Sequence, residues 1–144
     1  MKCLMKILAV SLFVVAGTIT VSADNLLKNT TFSAENGWSF WVSKSVSDAG
    51  GSGTLVDAMA VAKSPAAEKQ DDSNIQLIRI IDVDVDKSYK VKFKANAEKA
   101  GSLTVCYILS KNPYNDYAWR VMALEAGEKE YECTLAVKKD KNGN

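Results

Sequence analysis

The chain has 144 residues, with 18 Lys and Arg against 17 Asp and Glu, and no histidine. So even a charge balance argues against nucleic acid or an anionic membrane as the main partner, since both reward clustered positive charge. The lack of histidine excludes His-dependent catalytic triads and His-based zinc sites.

Residues 1–23 have the three parts of a secretory signal peptide. "MKCLMK" is a short positive start, "ILAVSLFVVAG" a continuous apolar run, and Val21, Ser22 and Ala23 form a small-residue cleavage site before Asp24. The apolar run is too short for a spanning helix, which needs roughly 20 residues. The sequence therefore predicts export, to the periplasm or the extracellular space, with no membrane attachment once the leader is removed. Loss of Lys2 and Lys6 leaves 16 basic against 17 acidic residues, a net charge of −1. Residues 24–144 are enough for one domain with a core and too few for two.

The rest of the chain reads as strands in series. "SFWVSKSV" places Phe40 and Val42 on one face, with Ser39, Trp41 and Ser43 on the other. "GTLVDAMAVA" follows a Gly-Gly-Ser-Gly turn, and a helix of one or two turns fits only around "SPAAEKQDD". "NIQLIRIIDVDV" is β-branched, and its alternating Asp82, Asp84 and Asp86 read as one exposed strand face. They lack the glycine and distal glutamate of an EF-hand loop. "SYKVKFKANA" sets Tyr89, Val91, Phe93 and Ala95 against Lys90, Lys92 and Lys94, a solvated face with charges that guard against aggregation. "SLTVCYILS", "YAWRVMAL" and "KEYECTLAV" complete the series. Cys106 and Cys133 lie in these last runs; export permits a disulfide, but strand cysteines also serve as small apolar residues. Short strands separated by Gly, Asn, Asp and Pro turns predict an all-β, antiparallel sandwich or barrel.

No catalytic constellation emerges. There is no glycine-rich phosphate loop, Gly-x-Ser-x-Gly elbow or Cys-x-x-Cys pair. Glu35, Asp57, Asp116 and Glu125 are carboxylates of the kind glycoside hydrolysis uses, yet only their spacing in space would matter. The segment "KNPYNDYAWR" is more telling. Sugars present apolar C–H faces and hydroxyl rims, and need aromatic platforms with forked hydrogen-bonding groups beside them. Tyr114, Tyr117, Asn112, Asn115 and Arg120 supply these within ten residues. Strict alternation would set Tyr117, Trp119 and Val121 on one face, opposite Ala118, Arg120 and Met122.

The order of segments resembles the carbohydrate-binding modules of the family 4, 9 and 22 group. Asn25, Leu26, Leu27, Asn29, Phe32, Gly37 and Trp38 match the opening of such modules. "NIQL", "DKSYKVKFKANA" and "KEYECTLAV" match three later strands, so the likeness covers residues 25 to about 138. The resemblance implies a β-jelly-roll of the galactose-binding domain-like class. It also implies non-catalytic binding of a polysaccharide of the β-glucan or xylan class in a cleft on one sheet, accessory to a glycoside hydrolase domain. Carried over, Gln76 faces the cleft, Arg79 sits near a second polar position, Trp41 is a candidate wall, and Trp38 belongs to the core. Thr31 and Ser33 flank Phe32 where the group often has acidic residues, which leaves a structural calcium as an open expectation. The group's last strands have no counterpart here, so the module reads as C-terminally incomplete. Two rival readings are a surface β-sandwich that is structural or binds protein, and the leading module of a truncated glycoside hydrolase.

Overall fold

A computed structural model describes residues 31–65, 75–111, 114 and 116–138, and the backbone of 2–9, 13–15 and 20–22. Asn112, Asn115, most of "SPAAEKQDD", the proposed cleavage site at Ala23–Asp24 and the "NGN" end lie outside the described residues. The strands are β1 (Lys2–Ala9), β2 (Phe13–Val15), β3 (Thr20–Ser22), β4 (Trp38–Val42), β5 (Ser52–Val56) and β6 (Met59–Lys63). They continue with β7 (Ile75–Asp82), β8 (Ser88–Ala97), β9 (Gly101–Leu109), β10 (Asp116–Leu124) and β11 (Gly127–Ala136). All pairings are antiparallel. The all-β expectation is thus met at the level of strands and sheets.

One sheet has the order β10-β9-β1-β7-β4, the other β11-β8-β2-β6-β5, with β3 also paired to β8. Their apolar faces share one core. Leu77, Ile81, Leu103, Val105 and Tyr107 come from the first sheet, and Tyr89, Val91, Phe93, Cys133 and Leu135 from the second. Tyr89 meets Tyr107 edge-on between the sheets, with ring centroids 5.9 Å apart. Gly53 of β5 lies so close to the Phe40 ring of β4 that a Cβ there would collide with it.

The alternation in β8 does what its sequence dictates: Tyr89, Val91, Phe93, Ala95 and Ala97 are buried. On its other face Lys90 and Lys92 both reach Glu132, at 2.9 and 2.8 Å, and Lys94 reaches Glu130 at 3.7 Å. The lysine row is therefore a solvated face balanced by glutamates of β11.

Three expectations change. The run after Trp41 does not stay extended: Lys44–Asp48 form a short helix, capped where the Ser43 hydroxyl accepts from the Val46 N–H at 3.4 Å. Lys44 pairs with Asp48 at 2.7 Å across one turn, and Val46 is its one buried residue. "GTLVDAMAVA" is a hairpin and not one strand, because Asp57 and Ala58 both take positive φ (49° and 65°) in a two-residue turn. The aspartate row ends at Asp82, where β7 stops. Asp84 then pairs with Lys87 at 2.6 Å, and Asp86 turns with φ 65° while its N–H donates to the Val137 carbonyl.

Candidate functional site

The side of the β10-β9-β1-β7-β4 sheet turned away from the core carries the candidate site. Directly paired residues on antiparallel strands share a face, so register defines its rows. One row runs Trp41, Gln76, Thr104, Val121 and the next Ser39, Ile78, Cys106, Trp119, each linked from β7 to β9 through the backbone of β1. A third holds Ile80, Ile108 and Asp116. Trp41 is 48% exposed and Trp119 65%, both unusually open for so large an apolar group. They stand on the two edge strands, four strand spacings apart, or roughly 19 Å. Ile80 and Val121 are also exposed on this side.

Gln76 lies beside Trp41 on this face, yet only 7% of it is exposed, making it the one buried polar or charged residue among the described residues. It is the register partner of Trp41, which sets its amide beside the tryptophan. That arrangement puts a flat apolar platform next to a buried group with both donors and acceptors.

Arg79 is not on this face. It has the opposite parity to Gln76 on β7, pairs with Trp38 and stacks over the Trp38 ring at 5.5 Å. Burial pushes its pKa below the ordinary arginine value. Tyr117 is also removed from the expected face. A bulge between Asp116 and Ala118 breaks the alternation, and Tyr117 turns into the core at 6% exposure while Trp119 and Val121 stay outside. Little of Tyr117 is left at the surface. Arg120 alternates with Trp119 and instead lines an open groove of about 550 Å³ between β10 and β11, with Met122, Glu132 and Cys133.

Tyr114 is 57% exposed in the loop joining β9 to β10. Its φ of 57° is rare for a non-glycine residue, and its N–H donates to the Lys111 carbonyl at 2.8 Å to close the turn. The loop adjoins Asp116, at the end of the third row. Trp119 is the functional candidate that strand patterning passes over. Its signal in the sequence is a tryptophan two residues before Val121, on a strand that also carries Asp116 and Arg120.

The four candidate carboxylates do not share one element. Glu35 sits in the Ala34–Asn36 turn of 3-10 helix, Asp57 in the β5–β6 turn and Asp116 at the start of β10. Glu125 follows β10 and pairs with Lys129 at 3.5 Å. Among the described residues, no three His, Cys, Asp or Glu gather as metal ligands. Neither cysteine is in a disulfide: Cys106 is on the Trp119 face and Cys133 in the core of the other sheet. Burial pushes the Cys133 thiol pKa up, partly offset by Arg120.

The chain matches no protein-family model, and neither curated proteins nor solved structures yield a significant match.

Proposed function

We propose that the chain is an exported, non-catalytic module of jelly-roll type that binds a polysaccharide of the β-glucan or xylan class. The binding surface is the outward face of β4, β7, β9 and β10, the place between β7 and β9 being held in the full chain by β1, which belongs to the leader. The single observation that supports this reading most is the pair Trp41 and Trp119, exposed at opposite edges of one face with the buried Gln76 between them. A glycan laid across the strands would stack one ring on each tryptophan, each stack adding on the order of 1 kcal/mol beyond area burial. The Gln76 amide would bond hydroxyls in between, and Tyr114 would extend the platform at the loop. The span suits several consecutive sugar rings, so the ligand is a chain and not a single sugar. Such a module serves a glycoside hydrolase by holding it to its substrate.

The test is affinity electrophoresis of the exported protein through gels containing β-glucan, xylan, mannan or no polysaccharide. Trp41→Ala, Trp119→Ala, Gln76→Ala and Tyr114→Ala are run beside it, each first shown to be folded by circular dichroism. Retardation in one glycan, lost in Trp41→Ala and Trp119→Ala and weakened in Gln76→Ala, is expected. Unretarded migration of the folded protein in every gel would instead assign the face, with its exposed Ile80 and Val121, to a protein partner.

A further inference from the structure

We propose that the space between β7 and β9 is a strand-accepting seat, filled in the exported protein by an extended segment of a partner polypeptide. The inference rests on reading residues 1–23 as a cleaved leader, which carries the short β2 and β3 of the second sheet as well as Lys2–Ala9, the long strand that fills the seat in the full chain. The same residues cannot both be removed at export and close the sheet afterwards.

The seat is built on both sides. β1 makes seven registered pairs with β7, from Lys2 opposite Asp82 to Leu8 opposite Gln76. It makes seven more with β9, from Cys3 opposite Leu109 to Ala9 opposite Leu103. Cleavage would leave two facing rows of backbone N–H and C=O groups without partners, beside one of the most buried parts of the core. Leu77, Leu103, Val105 and Tyr107 flank that gap and are at most 1% exposed. Unpaired backbone there is costly, and facing edges of this kind take up extended peptides.

The gap cannot close simply by bringing its walls together. β1 is antiparallel to both neighbours, so β7 and β9 run parallel to each other. Closing would require a direct parallel ladder, with a slanted bond pattern and a new register across the sheet.

Register also states what the occupant must be. Positions 3 and 7 stand opposite Ile81 with Leu109 and Leu77 with Val105, on the parity of the core, and call for apolar residues. Positions 4, 6 and 8 share the outward face with Ile80, Ile78 and Gln76, where polar residues are tolerated. The first position faces Asp82 and favours a cation. The partner segment is therefore about eight residues long, apolar at alternate positions and basic at its N-terminal end, and it runs antiparallel to both walls.

The test uses the full gene expressed with its own leader, the exported protein being weighed intact by mass spectrometry. Hydrogen exchange is then followed at Ile75–Asp82 and Gly101–Leu109, alone and with a synthetic peptide of residues 2–9. A peptide carrying Ile7→Asp serves as the control. The expected result is a protein lacking residues 1–23 whose β7 and β9 amides exchange about tenfold more slowly with the first peptide and not with the second. Retention of residues 1–23, or no response to the peptide, overturns the proposal. So does full protection without peptide, which in a dimer would assign the seat to a second copy. Should the exported chain aggregate, the 2–9 sequence is fused behind Asn144 through a flexible linker. A soluble fusion melting about 5 °C or more above its Ile7→Asp counterpart is expected, and equal behaviour of the two overturns the idea. Glycan binding plays no part in these readouts, so a failure of the sugar reading would leave them intact.

Discussion

The guanidinium of Arg79 lies 5.5 Å from the centre of the Trp38 ring, and the two residues are register partners between β7 and β4. Trp38 is in turn packed against Phe32, with ring centroids 5.0 Å apart, so Arg79 closes a stack at the rim of the core. This gives Arg79 a stabilising role distinct from the candidate glycan face. Trp38→Ala is expected to cost about 3–5 kcal/mol in urea unfolding, as for other buried aromatics. Arg79→Ala is expected to cost roughly 1–2 kcal/mol, from the lost ring contact and stem packing. Provided it stays folded, Arg79→Ala should migrate like the parent in glycan gels. A loss of retardation by that variant would place Arg79 at the ligand after all.

Tyr117 carries the opposite warning. Because the bulge turns it into the core, Tyr117→Ala should behave as a cavity-forming change and lose about 3–5 kcal/mol. Tyr117→Phe should lose far less and keep full retardation. Loss of glycan binding in the alanine variant must therefore be read beside its unfolding curve. A stable, fully folded Tyr117→Ala protein would contradict the placement of this ring.

What the sequence makes legible depends on the range of the interaction that decides it. The strand β8 can be read directly, since its alternation and its burial have the same cause, a period of two on a half-buried sheet. The face of Trp41 follows from the same rule applied to Phe40 and Val42. The helix at Lys44–Asp48 is five residues long, too short to show a helical period, and its only local mark is the Ser43 cap. The bulge at Tyr117 reverses the parity of one aromatic residue and leaves no mark in composition. Sheet order is less legible still. Bringing Trp41 and Trp119 to the edges of one face depends on pairings between segments far apart in the chain. No local propensity encodes those pairings.

The β5–β6 hairpin is hidden from the sequence for a related reason. Its turn residues, Asp57 and Ala58, both have positive φ, but the second is not the glycine or asparagine that usually announces such a turn. Alanine in the left-handed region carries a penalty of roughly 1–2 kcal/mol. Ala58→Gly should relieve most of it, less the larger unfolded-state entropy of glycine, for a net gain of about 0.5–1 kcal/mol. Thermal unfolding of the two proteins checks this. A melting point lowered by the substitution would mean that the turn is not of this type.

Cys133 tests the core on the side of the second sheet. Burial raises its thiol pKa and so lowers its thiolate fraction near neutrality, and only 8% of the residue is exposed, at the wall of the β10–β11 groove. Alkylation by iodoacetamide at pH 8 is expected to be slow in the native protein and to become complete only in denaturant. Rapid labelling of Cys133, located by peptide mass spectrometry, would mean that β11 opens readily from β8.

Glu132 is the hub of the charged face, accepting from Lys92 and Lys90 across the β8–β11 pairing. Those contacts, the Lys92 hydrogen bond foremost, hold its carboxyl below the usual glutamate range, and they raise Lys92 above the usual lysine range. The signs follow by linkage. A carboxyl with a lowered folded pKa adds stability above its unfolded pKa and loses it as pH falls through the folded value. An amine with a raised folded pKa adds stability below its unfolded pKa and loses it as pH rises through the folded value. The pair therefore contributes across the neutral range and fades at both extremes. Melting curves of the parent and Glu132→Gln should differ most near neutrality and converge in acid, where the protonated carboxyl resembles the amide. High salt should narrow the gap at pH 7, since all three groups are solvent-exposed and screened. A difference that persists unchanged in acid would show that Glu132 acts through packing, and that its ion pairs contribute nothing to stability.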